Sequence, residues 1–188
     1  MDVETAPGTF SPDGLDKGTA VLLAEAPPPP AAGTFLDLGC GWGPVALTLA
    51  LRSPGARVWA VDVNERALDL VRRNAERLGL AGVRAVTPDA VPDDVAFAAL
   101  WSNPPIRVGK EALHAMLLRW LPRLAVGADA HLVVQRNLGA DSLQRWLTDA
   151  LASVPGAAAD GTQSRPSTLT VERAASAKGF RVLRVSRR

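Results

Sequence analysis

Apolar residues recur along this chain with two spacings, and the two alternate. Short, nearly continuous apolar runs occur at Thr34–Leu38, Arg57–Val61, Val83–Val86, Ala96–Trp101 and Ala130–Gln135. Runs of this length, bounded by Gly, Pro, Asp or Asn, predict strands buried on both faces. Between them the period lengthens. Val45–Leu51 has helical length, and Leu68, Val71, Ala75 and Leu78 form one stripe between an N-cap at Asn64 and a stop at Gly79. Glu111–Leu124 predicts a helix whose inward face carries Leu113, Met116, Leu117, Trp120 and Leu121. Asp141–Leu151 predicts another, with Asp141 and Gln144 at the spacing of a capping box. Residues 153–167 are rich in Gly, Pro, Ser and Ala and read as a loop. Thr168–Ala174 and Phe180–Val185, joined around Lys178-Gly179, read as a hairpin.

Residues 1–33 form a lead-in segment: a turn at Phe10-Ser11-Pro12-Asp13-Gly14, a helix over Leu15–Ala26, then the run Pro27–Pro30. Strands alternating with helices predict an α/β fold: a mostly parallel seven-stranded sheet with a C-terminal antiparallel hairpin and helices on both faces. No internal repeat is visible. One domain over 1–188, with 34–188 as its core, accounts for the length.

In such sheets a ligand binds beyond the carboxyl ends of the strands, where the strand order reverses. The first strand ends in Asp37-Leu38-Gly39-Cys40-Gly41-Trp42-Gly43. Alternating glycines let backbone turn tightly and approach a ligand, next to the free N–H groups of a helix start. Pro44 stands where a dinucleotide fingerprint has its third glycine, so G-x-G-x-G is not that fingerprint. Asp37, a carboxylate on a buried strand, calls for a partner, and a cation on the ligand would supply one. After the second strand Asp62 can accept both ribose hydroxyls of a nucleoside or cap the next helix, a role Asn64 already fills. After the third, Asp89 and the Ala90 N–H could read an adenine edge or be loop residues. After the fourth comes Ser102-Asn103-Pro104-Pro105-Ile106. Two prolines fix the backbone and remove two donors, leaving the Asn103 side chain and the Asn103 and Pro104 carbonyls as rigid acceptors suited to an exocyclic amine.

Composition narrows the class. Hydrophobic residues make up 47% and charged residues 21%, ordinary globular values. The single cysteine, Cys40, excludes an intramolecular disulfide and reads as small filler in the glycine loop. Two histidines, His114 on a helix surface and His131 at a strand end, argue against a metal site. No apolar run reaches the ~18 residues of a membrane span, and the acidic start is unlike a signal peptide; a cytoplasmic location is expected. Charge is uneven: residues 1–37 carry six acids against Lys17, whereas 172–188 carry six bases against Glu172. Arg107, Lys110 and Arg136 cluster at the ends of the fourth and fifth strands, where they could hold phosphates or simply be solvated.

These motifs resemble the class I S-adenosylmethionine-dependent methyltransferases, and more narrowly the small-domain ribosomal RNA methyltransferases of the small-subunit guanine-N2 type. The resemblance is carried by Gly39-x-Gly41-x-Gly43 after Asp37, Asp62, Asn103-Pro104-Pro105, Asp16-Lys17-Gly18-Thr19 and Lys178-Gly179-Phe180-Arg181-Val182-Leu183. It implies a Rossmann-like fold and S-adenosyl-L-methionine as cofactor. Asp37 and the loop Gly39, Cys40, Gly41 and Gly43 would flank its methionine part, the segment Asp16 to Thr19 would cover that end, Asp62 would hold the ribose, and Val63, Asp89 and Ala90 would contact the adenine. Asn103, Pro104, Pro105 and Ile106 would form the catalytic motif; Ile106 stands where many relatives carry an aromatic residue. The implied partner is ribosomal RNA or the assembling small subunit, bound through Arg107, Lys110 and Arg136 to a monomer or weak dimer. Other readings of the same motif are an adenine-N6 or a protein glutamine-N5 methyltransferase. A nicotinamide oxidoreductase leaves Asn-Pro-Pro without a role, and a non-catalytic RNA-binding assembly factor leaves Asp37, Asp62 and Asn103 without one.

Overall fold

A computed structural model describes residues 3–152 and 168–188; the predicted loop at 153–167 lies outside the described residues. The elements follow in the order α1 (Lys17–Glu25), β1 (Ala32–Leu38), α2 (Pro44–Arg52), β2 (Gly55–Val61), α3 (Glu65–Arg77), β3 (Val83–Val86) and β4 (Phe97–Ser102). Then come α4 (Lys110–Trp120), β5 (Leu124–Gln135), α5 (Ala140–Ala152), β6 (Leu169–Ala177) and β7 (Phe180–Arg187). Seven strands form one sheet in the order β3-β2-β1-β4-β5-β7-β6. The first five are parallel, and β7 lies antiparallel to both β5 and β6.

Side-chain alternation sorts the strand residues onto two helical layers. Leu36, Leu38, Trp59 and Val61 pack with Leu113, Leu117 and Trp120 of α4 and Leu143, Leu147 and Leu151 of α5. Phe35, Val58 and Ala60 pack with Val21 and Leu22 of α1, Val45 and Leu49 of α2, and Leu68 and Val71 of α3. The order reverses between β1 and β4, whose following helices cover opposite faces, and the crevice that results opens at their carboxyl ends.

Three sequence expectations are corrected. The predicted helix over 111–124 ends at Trp120, because Pro122 opens a 3₁₀ turn over Leu121–Arg123. Strand β5 therefore starts at Leu124, six residues before the predicted Ala130, and His131 lies inside it rather than at its end. Asp141 does not cap α5: the helix starts at Ala140, Leu143 N–H bonds to the Gly139 carbonyl, and the Asp141 carboxylate pairs with Arg173 and Arg181 of the hairpin. His114 lies on the surface of α4 as expected, half-buried, with its ring stacked 3.4 Å from that of Trp146. The hairpin itself closes as predicted, with Ala177 opposite Phe180 and positive φ at Lys178 (49°) and Gly179 (82°), the pair of values a two-residue type I′ turn needs.

Candidate active site

A cavity of about 830 Å³ opens at the carboxyl ends of the strands. Leu38 and Gly39 after β1, Val61 and Asp62 after β2, and Asn103 to Val108 after β4 line it. Val133 and Gln135 of β5 and Phe180 at the start of β7 complete the far wall.

The cofactor-type loop divides by function. Gly39 (φ 73°) and Gly41 (φ 53°) line the cavity in left-handed conformations. Gly43 does not line it; a Cβ there would lie 3.0 Å from Val71 Cγ2, so this glycine serves the packing of α2 on α3. Asp62 ties the loop to its neighbours: Oδ2 accepts from Gly41 N at 2.9 Å and Oδ1 from Asn64 N at 2.9 Å. Each oxygen keeps a lone pair for the cavity. Asn64 caps α3 through Arg66 N, as its sequence position predicts.

Asp37 departs from the expected cation-pairing role. Its side chain points to the α2 face, is 1% exposed, and accepts from Ala46 N at 2.8 Å. Burial, with the nearby Asp62 charge, pushes its carboxyl up to about 8 against the opposing pull of the Ala46 bond. Asp37 thus lies below the cavity, anchoring the third residue of α2 to β1. Cys40 is likewise buried outside the lining, its thiol held well above the usual range by burial and by the Asp37 and Asp62 charges, so it is no nucleophile. Val63 lines the cavity and is 82% exposed. Asp89 and Ala90 fall outside the lining in a 3₁₀ turn, where Pro88 lines the wall and Asp89 pairs with Arg119 at 2.9 Å.

The Asn-Pro-Pro segment holds its acceptors differently from the sequence reading. The Pro104 carbonyl accepts from Ile106 N at 2.8 Å, because Pro105 (φ −73°, ψ 78°) has the dihedrals of an inverse γ-turn, and it keeps one lone pair. The Asn103 side chain is held from the other direction. Its Nδ2 donates to Asp16 Oδ2 at 2.8 Å and to Thr19 Oγ1 at 3.0 Å. Thr19 is 3% exposed and outside the lining, so its placement at the cofactor's methionine end is replaced by this bond to Asn103.

Several lining residues carried no assignment in the sequence. Phe180 faces the cavity that Ile106 lines without an aromatic ring; its signal was the hairpin motif, which fixed a turn but not a direction. Phe10 (59% exposed) reaches the cavity because the lead-in segment crosses α3, held by Asn74 on Glu4 N (2.7 Å), Asn64 on the Gly8 carbonyl (3.1 Å) and Trp42 on the Ser11 carbonyl (3.3 Å). Arg119 spans from α4 to the Pro88 carbonyl at 3.1 Å. Of the three basic residues expected to meet RNA, Arg107 lines the cavity, while Lys110 is exposed at the start of α4 and Arg136 in the turn after β5.

Against this geometry, the sequence model described as the methyltransferase small domain matches residues 1–162. The chain belongs to the methyltransferase small domain family. Within it, the chain is 36% identical over 138 residues to the uncharacterized protein YbxB of Bacillus subtilis, covering 72% of this chain and 69% of that one. It is also 36% identical over 140 residues to ribosomal RNA small subunit methyltransferase C of Aeromonas hydrophila, covering 73% of this chain but 39% of that relative. The fold is shared with the T. thermophilus 16S rRNA N2 G1207 methyltransferase in complex with AdoMet and guanosine, with a TM-score of 0.77, 22% identity, and coverage of 98% of this chain and 46% of that one.

Proposed function

We propose that this protein is an S-adenosyl-L-methionine-dependent N-methyltransferase acting on an exocyclic amine of a nucleobase, guanine N2 of ribosomal RNA. The observation that carries this reading is one cavity lined by Asp62 beyond β2, by Asn103 beyond β4 and by Phe180 of β7, the last two meeting at Gly18. When bound, the cofactor supplies an electrophilic methyl on a sulfonium. Asp62 accepts from the ribose hydroxyls, and Gly39 and Gly41 allow close backbone approach. Asn103 Oδ1 accepts an N–H of the target amine, which aims the nitrogen lone pair and stabilises the positive charge that develops on it. Orientation can lower such a barrier by up to ~7–11 kcal/mol in favourable cases, so no general base is required of His114 or His131. The Phe180 ring offers the stacking face for a base, worth ~1–3 kcal/mol. Arg107, Lys110 and Arg136 hold flanking phosphates of the RNA.

Transfer of labelled methyl from S-adenosylmethionine tests the reading, with total RNA, assembled ribosomal subunits and whole-cell protein as acceptors. The expected product is N2-methylguanosine in digested RNA, lost in Asn103→Ala. Label in N6-methyladenosine or in a glutamine amide would replace the substrate. Cofactor binding without label in any acceptor would favour the assembly factor.

A further inference from the structure

We infer that Asp16 and Thr19 are positioning residues for methyl transfer: they clamp the Asn103 amide so that its carbonyl, not its NH2, faces the target amine. This rests on Asn103 being the amine acceptor. A primary amide has two donors on nitrogen and an acceptor on oxygen, and the two faces are nearly the same size. Nothing in an amide's shape prevents it from flipping. A flipped Asn103 would present a donor to an amine that is itself a donor.

The surroundings remove that freedom. Both donors of Nδ2 are used, at 2.8 Å by Asp16 Oδ2 and at 3.0 Å by Thr19 Oγ1. A hydroxyl can donate or accept, so Thr19 alone tolerates either orientation. An ionised carboxylate only accepts, so Asp16 admits only the NH2 face. Asp16 is itself held, because the same Oδ2 accepts from Gly18 N at 2.8 Å and Thr19 N at 3.1 Å as the N-cap of α1. Close approach is made possible by Gly18: a Cβ there would lie 3.0 Å from Asp16 Oδ2, 3.0 Å from Phe180 Cε1 and 3.4 Å from Asn103 Nδ2. The carboxylate also polarises the amide from behind, which strengthens the carbonyl as an acceptor.

Three variants separate the clamp from the helix cap. Asp16→Ser keeps an N-cap oxygen but is too short to reach Asn103. Asp16→Asn places an amide oxygen where Oδ2 stands and keeps both functions. Thr19→Val removes one acceptor at nearly constant shape. The clamp is read directly by NMR of ¹⁵N-labelled protein, with the Asn103 side-chain amide assigned by its loss in Asn103→Ala. Its protons are expected to exchange at least tenfold slower than those of exposed Asn137; Asp16→Ser should erase the difference, and Asp16→Asn should keep it. Turnover, with total RNA and assembled small subunits as acceptors, should fall about 10–100-fold in Asp16→Ser and several-fold in Thr19→Val. S-adenosylmethionine affinity should stay within twofold. Wild-type exchange protection in Asp16→Ser, or a loss confined to cofactor affinity, would overturn the clamp. Full turnover in Asn103→Ala would instead overturn the role of Asn103, whatever the NMR shows. Should Asp16→Ser melt early, Thr19→Val carries the same comparison on an intact cap.

Discussion

Asp62 Oδ2 lies 2.9 Å from the backbone nitrogen of Gly41, across 21 positions of sequence. The carboxylate at the end of β2 therefore sets the curvature of the glycine loop after β1 before any ligand arrives. Asp62→Ala should lower S-adenosylmethionine affinity about 10–100-fold, the loss associated with hydrogen bonds to a charged group. Isothermal calorimetry checks this, and unchanged affinity would remove Asp62 from the site.

Phe180→Ala should raise KM for the RNA acceptor about 10–100-fold through lost stacking. Cofactor affinity should not change, because the ring lines the cavity beyond Asn103. Phe180→Leu should recover only part of the loss; full recovery would point to apolar contact rather than stacking.

Asp37 has a folded-state value of about 8 against 3.8 unfolded. Between those values the folded protein binds the extra proton, so this group makes stability fall as pH rises from about 4 to about 8. Asp37→Asn should flatten that slope in urea titrations and gain most over wild type near the upper end. An unchanged slope would place the wild-type carboxyl in its ionised form.

His131 has the opposite sign. It is 3% exposed, neither ring nitrogen has a hydrogen-bond partner among the described residues, and burial lowers it to about 4, with the Asp129 and Arg184 charges opposing each other. The unfolded chain binds its proton first, so stability falls as pH drops from about 6.5 to about 4. His131→Leu should remove this acid loss, measured as the pH dependence of Tm.

Gly43→Ala should cost about 1–3 kcal/mol of stability, since it forces a side chain into φ 96° and against Val71. Cofactor affinity at low temperature should change little, because Gly43 is outside the cavity lining.

The sheet and α3 were legible because burial on two faces writes continuous apolar runs, and because Asn64 and Gly79 mark the ends of one stripe. The strand-end residues Asp62 and Asn103 were legible from topology alone. What was hidden depends on partners distant in sequence. The bond from Asn103 to Asp16 spans 87 positions. The Asp141 capping box lost to arginines of the hairpin, which local spacing does not register. Asp37 was legible as a buried carboxylate in need of a partner, but the partner is the start of α2 rather than a ligand. The Pro104 carbonyl was legible as a fixed acceptor because the prolines remove donors, but its bond from Ile106, one residue beyond them, was not.

The meeting of Gly18, Asn103 and Phe180 has a consequence in time. Strand β7 inserts between β5 and β6, so an inner strand of the sheet follows the edge strand β6 in chain order. A chain emerging from synthesis carries the glycine loop, Asp62 and Asn103 well before Phe180 exists. Closing so long a loop is also slow in refolding. A nascent or truncated chain can thus shape the Asp62 part of the cavity while the part beside Asn103 still lacks the Phe180 wall, so the cavity is completed last.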